Sequence, residues 1–412
     1  MESGAGVSSA RRWLMLSLGT TAQTATSSFV LGMPMLVPAL RKEDGISLFN
    51  ASLIVSAPTF GLLFTLILWG ALADRYGERL VIVAGVGGSA VLLAVAAAIP
   101  NTAALVVLLV LAGAFGASVN AASGRLVMGW FPARRRGFAM GIRQMALPLG
   151  TALAGLVLPP LADAHGARFA LLFPAIFCTA GAVGVFWFVV DPPRVAQLDE
   201  DGAQMVEPNP YRGSRVLARL HASSALLVVP QFVVAAFTVV YLVEQRDWSP
   251  AAAGRAVFAF QLAGAFGRIA SGVWSDVVGS RLRPMRQLAV ASALCMLLLA
   301  IGAWTHSWVT VLAFGLGAVI TVADNGLGYT SVAEFAGSDW SGRALGMQNT
   351  GQNLVAALTA PLTAAVIGHG RYGLAFVLAA IFPVIAVWLT PVRAEERHEP
   401  RRTELVAEPG GS

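Results

Sequence analysis

Charge is what this chain has least of. Asp, Glu, Lys and Arg together make up 12% of its 412 residues, about half the roughly 25% usual for soluble domains. So few polar groups exclude a water-facing surface on every helix of a chain this long. Cysteine is scarce too. Cys178 and Cys295 each lie inside an apolar run, a setting for buried thiols and not for a disulfide framework. No Gly-x-x-x-x-Gly-Lys-Ser/Thr stretch occurs, which excludes ATP hydrolysis as an energy source. The histidines His165, His221, His306, His369 and His398 fall at loops or at the ends of apolar runs. None stands at a metal-ligand spacing from Cys or carboxylates. Enzyme chemistry, metals and cofactors therefore have no motif to stand on. The isoelectric point near 10.0 does not indicate nucleic acid, because the basic residues alternate with apolar runs and topology accounts for them.

What is abundant is apolar sequence: 56% of residues, with a mean hydropathy of +0.70. Runs long enough to cross a hydrocarbon core of ~30 Å lie at 13–40, 48–73, 79–99, 102–130, 138–163, 168–190, 223–245, 250–275, 285–304, 308–335, 342–367 and 372–391. Backbone groups in lipid need internal partners, so these runs are expected to be helices. Arg11 and Arg12 precede a run too long for a signal peptide. With the N-terminus inside, nineteen Arg fall in cytoplasmic loops and termini, and five Arg or Lys fall outside. This asymmetry places both termini in the cytoplasm.

The segment 191–222 breaks the pattern. It holds Asp191-Pro192-Pro193, the acidic cluster Asp199-Glu200-Asp201, then Arg212, Arg215 and Arg219. It reads as a cytoplasmic linker between six-helix bundles at 1–190 and 223–391. Two forms remain open for it: a flexible loop, or a short amphipathic helix at 211–221 lying on anionic headgroups. The charged tail 392–412 is expected to be cytoplasmic and disordered.

The two halves are related. Gly70-Ala-Leu-Ala-Asp-Arg-Tyr-Gly-Glu-Arg79 shares its Gly, Asp, Gly and Arg frame with Gly272-Val-Trp-Ser-Asp-Val-Val-Gly-Ser-Arg281, 202 residues later. At an offset of 205, Asn120 falls on Asn325, Ala139 on Ala344, Gly141 on Gly346 and Gln144 on Asn349. The duplicated turn resembles the loop between the second and third helices of each half in the major facilitator superfamily of secondary transporters. That resemblance implies parallel repeats with a substrate site between them near the midplane. It also implies gating roles for Asp74, Arg75, Arg79, Asp276 and Arg281. Glu78 and Val277 depart from the family's pattern. For Arg75 and Arg79, simple positive-inside anchoring is the plainer reading.

Ionisable residues inside a span are costly, so each is a functional candidate. Asp324 is the one acid near a span centre, and Asn325 adds a polar neighbour. It is either a proton-coupling carboxylate or a static partner for an arginine. Arg268 lies eight residues before Asp276, with Gln261 two turns away on the same face. Gly264, Gly267 and Gly272 leave room for a neighbouring helix or a ligand. Gly267-Arg-Ile-Ala-Ser-Gly272 resembles the eighth helix of the monocarboxylate and oxalate–formate branches, which implies that Arg268 binds a carboxylate. The alternative for Arg268 is a pair with Asp276 or with carbonyls at the cytoplasmic gate. The aspartate that the monocarboxylate family carries four residues before its arginine is Gly264 here, and the lysine of the oxalate branch is replaced by Asn349 and Asn353.

The stretch 130–142 resembles the fourth-to-fifth helix junction of organic-anion carriers. Arg125 and Arg143 either add positive field for an anion or snorkel to headgroups. Glu334 is expected to pair with a gate arginine. The run Thr20, Thr21, Gln23, Thr24, Thr26, Ser27, Ser28 lines a cavity or packs helices.

The chain is thus read as an all-α membrane protein with twelve transmembrane helices in two pseudo-symmetric six-helix bundles. It is not an enzyme and has no cofactor. The expected activity is proton-coupled transport of a small organic anion across the plasma membrane by a monomer, without nucleic acid; the alternative is a proton-coupled drug or metabolite exporter. Substrate contacts are assigned to Arg268, Arg125, Gln261, Asn120, Asn325, Asn349 and Gln23, proton coupling to Asp324, and gating to Asp74, Arg75, Arg79, Asp276, Arg281 and Glu334.

Overall fold

The computed structural model describes residues 9–37, 39–40, 48–192, 209–212, 214–368 and 370–395. The acidic cluster at 199–201 and the tail beyond 395 lie outside them. Among the described residues no strand forms. Twelve helical segments do: α1 Ser9–Val30, α2 Leu48–Tyr76, α3 Glu78–Ala98, α4 Thr102–Trp130, α5 Ala133–His165, α6 Ala167–Phe188, α7 Val216–Glu244, α8 Pro250–Val278, α9 Leu282–Trp304, α10 Val309–Ala336, α11 Ser341–Ile367 and α12 Tyr372–Leu389. Eleven are long and apolar enough to cross a membrane by length and composition. The exception is α1, whose hydroxyls and Gln23 lower its hydropathy. Gln23, Thr24, Thr26, Ser27 and Ser28 are nevertheless buried, whereas Thr20 is half-buried and Thr21 exposed. Thr24, Thr26 and Ser28 bond back to carbonyls of their own helix at 2.8, 3.2 and 2.7 Å.

Local signals fix several ends. Asn101 accepts from the Ala104 amide at 2.9 Å to open α4. Ser249 accepts from Ala252 at 3.2 Å, ahead of Pro250 in the first turn of α8. α5 starts at Ala133, five residues earlier than its apolar run, because Pro132 caps the basic turn 134–136 and starts the helix there. The amphipathic helix weighed as one alternative for 211–221 is not separate. Residues 216–221 are the first turns of α7, and Arg219 there donates to the last carbonyls of α12, Trp388 O at 2.9 Å and Leu389 O at 3.1 Å. Just before it, the Tyr211 hydroxyl meets His221 Nε2 at 2.9 Å, and burial pushes this phenol up to about 12.

The chain forms two compact units, one of Met1–Pro208 with Ala336–Thr350, the other of Asn209–Phe335 with Gly351–Ser412. In the first, α3 packs on α6 and α1 on α6; in the second, α9 packs on α12 and α7 on α12. These are the same pairings six helices apart. Glycines set the closest approaches. A Cβ on Gly61 would meet Val110 O at 1.8 Å, and one on Gly113 would meet Pro58 O at 1.9 Å, so α2 and α4 touch backbone to backbone. Outward faces carry Phe64, Leu156 and Trp388, all largely exposed, an apolar surface suited to lipid.

Candidate functional site

Four polar clusters stand out, two in each unit. The first sits at the α2–α3 turn. Gly77, at φ +91°, makes that turn in a region other residues rarely adopt. Asp74 and Glu78 flank it, and Arg125 of α4 reaches both: its guanidinium pairs with Asp74, and its Nε donates to Glu78 Oε1 at 2.7 Å. Asp74 also accepts from the amides of Gly342 at 2.7 Å and Arg343 at 3.0 Å, the first turn of α11, and so caps that helix. The approach depends on glycine. A Cβ on Gly70 would meet Gly342 O at 2.2 Å, and one on Gly346 would meet Leu66 O at 2.6 Å. The side chain of Asp74 is 2% exposed and that of Glu78 1%. Carboxylates buried this deeply require paired cations.

This arrangement gives Arg125, assigned from sequence to the substrate contacts, two carboxylate partners at its Nε and Nη1. It also explains Glu78, a departure from the family pattern that turns out to be the second partner of Arg125. Asp191, just past α6, accepts from the Arg79 amide at 2.7 Å and thereby caps α3. The Arg79 guanidinium donates to Phe186 O and lies 5.3 Å from the Phe186 ring. Arg75 is exposed, stacked 5.3 Å from Tyr76.

The second cluster repeats the first in the other unit. Arg281 Nη1 donates to Asp276 at 2.5 Å and to Ser275 at 2.7 Å, and its Nε lies 3.9 Å from Glu334. Glu395, just past α12, accepts from the Arg281 amide at 2.6 Å and the Leu282 amide at 3.1 Å. It caps α9 as Asp191 caps α3. Val277, in the place of Arg75, is exposed like it.

The third cluster lies inside the first unit. Gln23 Nε2 donates to Asn120 Oδ1 at 3.3 Å, and Ser123 donates to Gln23 Oε1 at 2.9 Å. Arg143 donates to Ser123 at 2.9 Å, to Gln144 at 3.1 Å and to Asn120 O. At 1% exposure, Arg143 is anchored inside the protein and does not snorkel. It is a buried charge that the sequence reading left off the site.

The fourth cluster lies inside the second unit. Asn325 Nδ2 donates to Gln231 Oε1 at 3.0 Å, the same Asn–Gln link between the same two helices of the repeat as Asn120 and Gln23. Gln352 donates to Asn325 Oδ1 at 3.4 Å and accepts from the Tyr329 hydroxyl at 2.7 Å. Arg268 on α8 and Asp324 on α10 are both buried. The two helices pack closely: a Cβ on Gly264 would meet Ala318 O at 2.4 Å, and one on Gly267 would meet Val319 Cγ1 at 2.7 Å. The space these glycines leave is therefore filled by α10. Gln261 is exposed on α8. Asn349 donates to Leu345 O of its own helix at 2.8 Å and belongs to the stretch grouped with the first unit. Gln231, Tyr329 and Gln352 were missed from sequence. The one signal for them was an amide in each of two long apolar runs.

Among the described residues no group of three or more His, Cys, Asp or Glu gathers to hold a metal. The family description "Major Facilitator Superfamily" matches residues 16–360 and 231–409. An uncharacterized MFS-type transporter of Mycobacterium tuberculosis, Rv2994, is 44% identical over 384 residues, 93% of this chain and 85% of the relative. The hexuronate transporter of Bacillus subtilis is 25% identical over 257 residues, 60% of each chain. The tetracenomycin C resistance and export protein of Streptomyces glaucescens is 32% identical over 136 residues, 33% of this chain and 25% of the relative. Among solved structures, the E. coli fucose:proton symporter FucP superposes with a TM-score of 0.74 at 16% identity, covering 93% of this chain and 98% of that one.

Proposed function

Since this chain belongs to the major facilitator superfamily of transporters, we propose that it is a secondary carrier of a small organic anion, coupled to protons, working by alternating access as a monomer in the plasma membrane with both termini cytoplasmic. In this reading the bundles 1–190 and 223–391 are the moving bodies. The observation that carries it is the burial of Arg268 and Asp324 within one unit, alongside the linked amides of Asn325, Gln231 and Gln352 and the Tyr329 hydroxyl. A guanidinium grips a carboxylate with two parallel hydrogen bonds. When a substrate carboxylate takes Arg268, Asp324 loses its counter-charge, and a proton on Asp324 restores neutrality in the low-dielectric interior. The anion and the proton therefore travel together. Gln23, Asn120, Asn325, Asn349 and Gln261 are proposed as polar contacts for the rest of the substrate. Asp74, Arg125, Glu78 and the first turn of α11 form a clasp that opens and re-forms in each cycle, and Asp276, Arg281 and Glu334 form its counterpart. The Bacillus relative, named for hexuronate, a carboxylate, fits this reading.

The Streptomyces relative, named for resistance and export, favours a second one: a proton-coupled exporter in which Asp324 still carries the proton and Arg268 is structural. Thermal-shift screening of the purified protein separates them, because a ligand that binds the folded state raises its midpoint. The anion reading expects carboxylates to stabilise the wild type and not Arg268→Ala. Stabilisation by lipophilic cations alone, equal in both proteins, overturns it in favour of the exporter.

A further inference from the structure

At the end of the second unit opposite the Asp276–Arg281 cluster, about 33 Å along α9 at 1.5 Å per residue, lies a cavity of about 260 Å³. Tyr241, Gln245, Trp304, His306, Arg371 and Tyr372 line it. Two of these hydroxyls are already spent, Tyr241 on Thr310 at 3.3 Å and Tyr372 on Glu244 at 2.9 Å. Their rings remain as apolar walls beside the Trp304 indole. Arg371, His306, Gln245 and Trp304 bring polar groups to the lining, and among the described residues no carboxylate lines it. Glu244 stands behind Tyr372 and is held there.

The rim is built, not loose. Asp247 and His306 are the two non-glycine residues with positive φ among those described, at 54° and 48°. Arg246 ties their loops together, donating to His306 O at 2.5 Å while lying 4.9 Å from the Trp308 ring. Trp248 and Trp308 close the outside, with ring centroids 6.0 Å apart.

We propose that this cavity is a binding site for a small anion, its charged oxygens held by Arg371 and His306 and its apolar part packed on the Tyr241, Trp304 and Tyr372 rings. At about 260 Å³ the cavity falls just below the usual range of ligand pockets, a size suited to a short carboxylic acid. A lipid headgroup phosphate offers the same chemistry. The site is separate from Arg268 and stands whether or not the transport reading does.

The test is protection of a cysteine. Leu374 lines the cavity and is exposed, so Leu374→Cys, in full-length protein with Cys178 and Cys295 replaced by alanine, reports on occupancy through its rate of maleimide labelling in nanodiscs. In phosphatidylcholine, butyrate is expected to slow labelling saturably and butyramide not to. Arg371→Gln should raise the half-protecting butyrate concentration roughly tenfold or more, the loss of one charge-assisted contact. Labelling that is already slow in phosphatidylglycerol discs, and restored by Arg371→Gln, assigns the same site to a lipid headgroup. A rate indifferent to butyrate, butyramide and lipid charge alike overturns the proposal, as does protection that survives Arg371→Gln combined with His306→Gln.

Discussion

Arg125 serves two carboxylates at once, and its position decides how the clasp behaves. Removing one partner of a buried ion pair strands the other charge, typically at about 3–5 kcal/mol. Asp74→Asn keeps an acceptor for the Gly342 and Arg343 amides but loses the charge facing Arg125. The variant is expected to bind substrate with near-normal affinity and to turn over more slowly, by roughly tenfold or more, each factor of ten being about 1.4 kcal/mol of barrier. Initial rates in proteoliposomes over a range of substrate concentrations check this; a change confined to KM would remove Asp74 from the gate. Arg268 predicts the opposite pattern. Arg268→Ala and Arg268→Lys should both lower carboxylate affinity by roughly 10- to 100-fold, because the ammonium lacks the guanidinium's planar fork. Equilibrium binding measures it, and wild-type affinity in Arg268→Ala would make Arg268 structural.

At the scale of elements, the close α8–α10 contact rests on glycine. Gly264→Ala puts a Cβ 2.4 Å from Ala318 O, whereas Gly254, on the same helix, has nothing within 4 Å. Gly264→Ala is expected to destabilise by about 1–3 kcal/mol and lower the thermal midpoint, with Gly254→Ala neutral or stabilising. Equal midpoints for the two would show that the contact is slack. The helices themselves were legible, because membrane spans declare themselves by length and apolarity. α1 was read correctly as a helix even though its hydropathy falls short of a span. The duplicated turn and the Asn120–Asn325 correspondence were legible as repeats. The partners were not. That Glu78 faces Arg125, that Asp191 and Glu395 cap α3 and α9, and that Gln231 and Gln352 join Asn325 are facts of contact between distant segments, and no periodicity within one helix encodes them. Arg143 was left open between the protein interior and the headgroups for the same reason: a long side chain near a span end can snorkel, and only its neighbours decide that it turns inward.

At the scale of the whole molecule, topology and coupling are what can be tested. The linker is expected on the same side as the termini, from the split of Arg and Lys among the loops. With Cys178 and Cys295 removed, an impermeant thiol reagent added to intact cells should reach Thr305→Cys and not Gly202→Cys. The reverse pattern would invert the protein in the membrane.

Coupling is the central claim, and proteoliposomes with an imposed pH gradient test it most directly. The protein is reconstituted, labelled carboxylate is supplied outside, and accumulation is compared between wild type and Asp324→Asn. An amide keeps hydrogen bonds but has no proton to release. The account predicts that wild type, with acid outside, concentrates the anion above its external level, and that Asp324→Asn exchanges labelled for unlabelled anion without concentrating it. Accumulation by Asp324→Asn with unaltered pH dependence, or a wild type that moves lipophilic cations and no carboxylate, would contradict it.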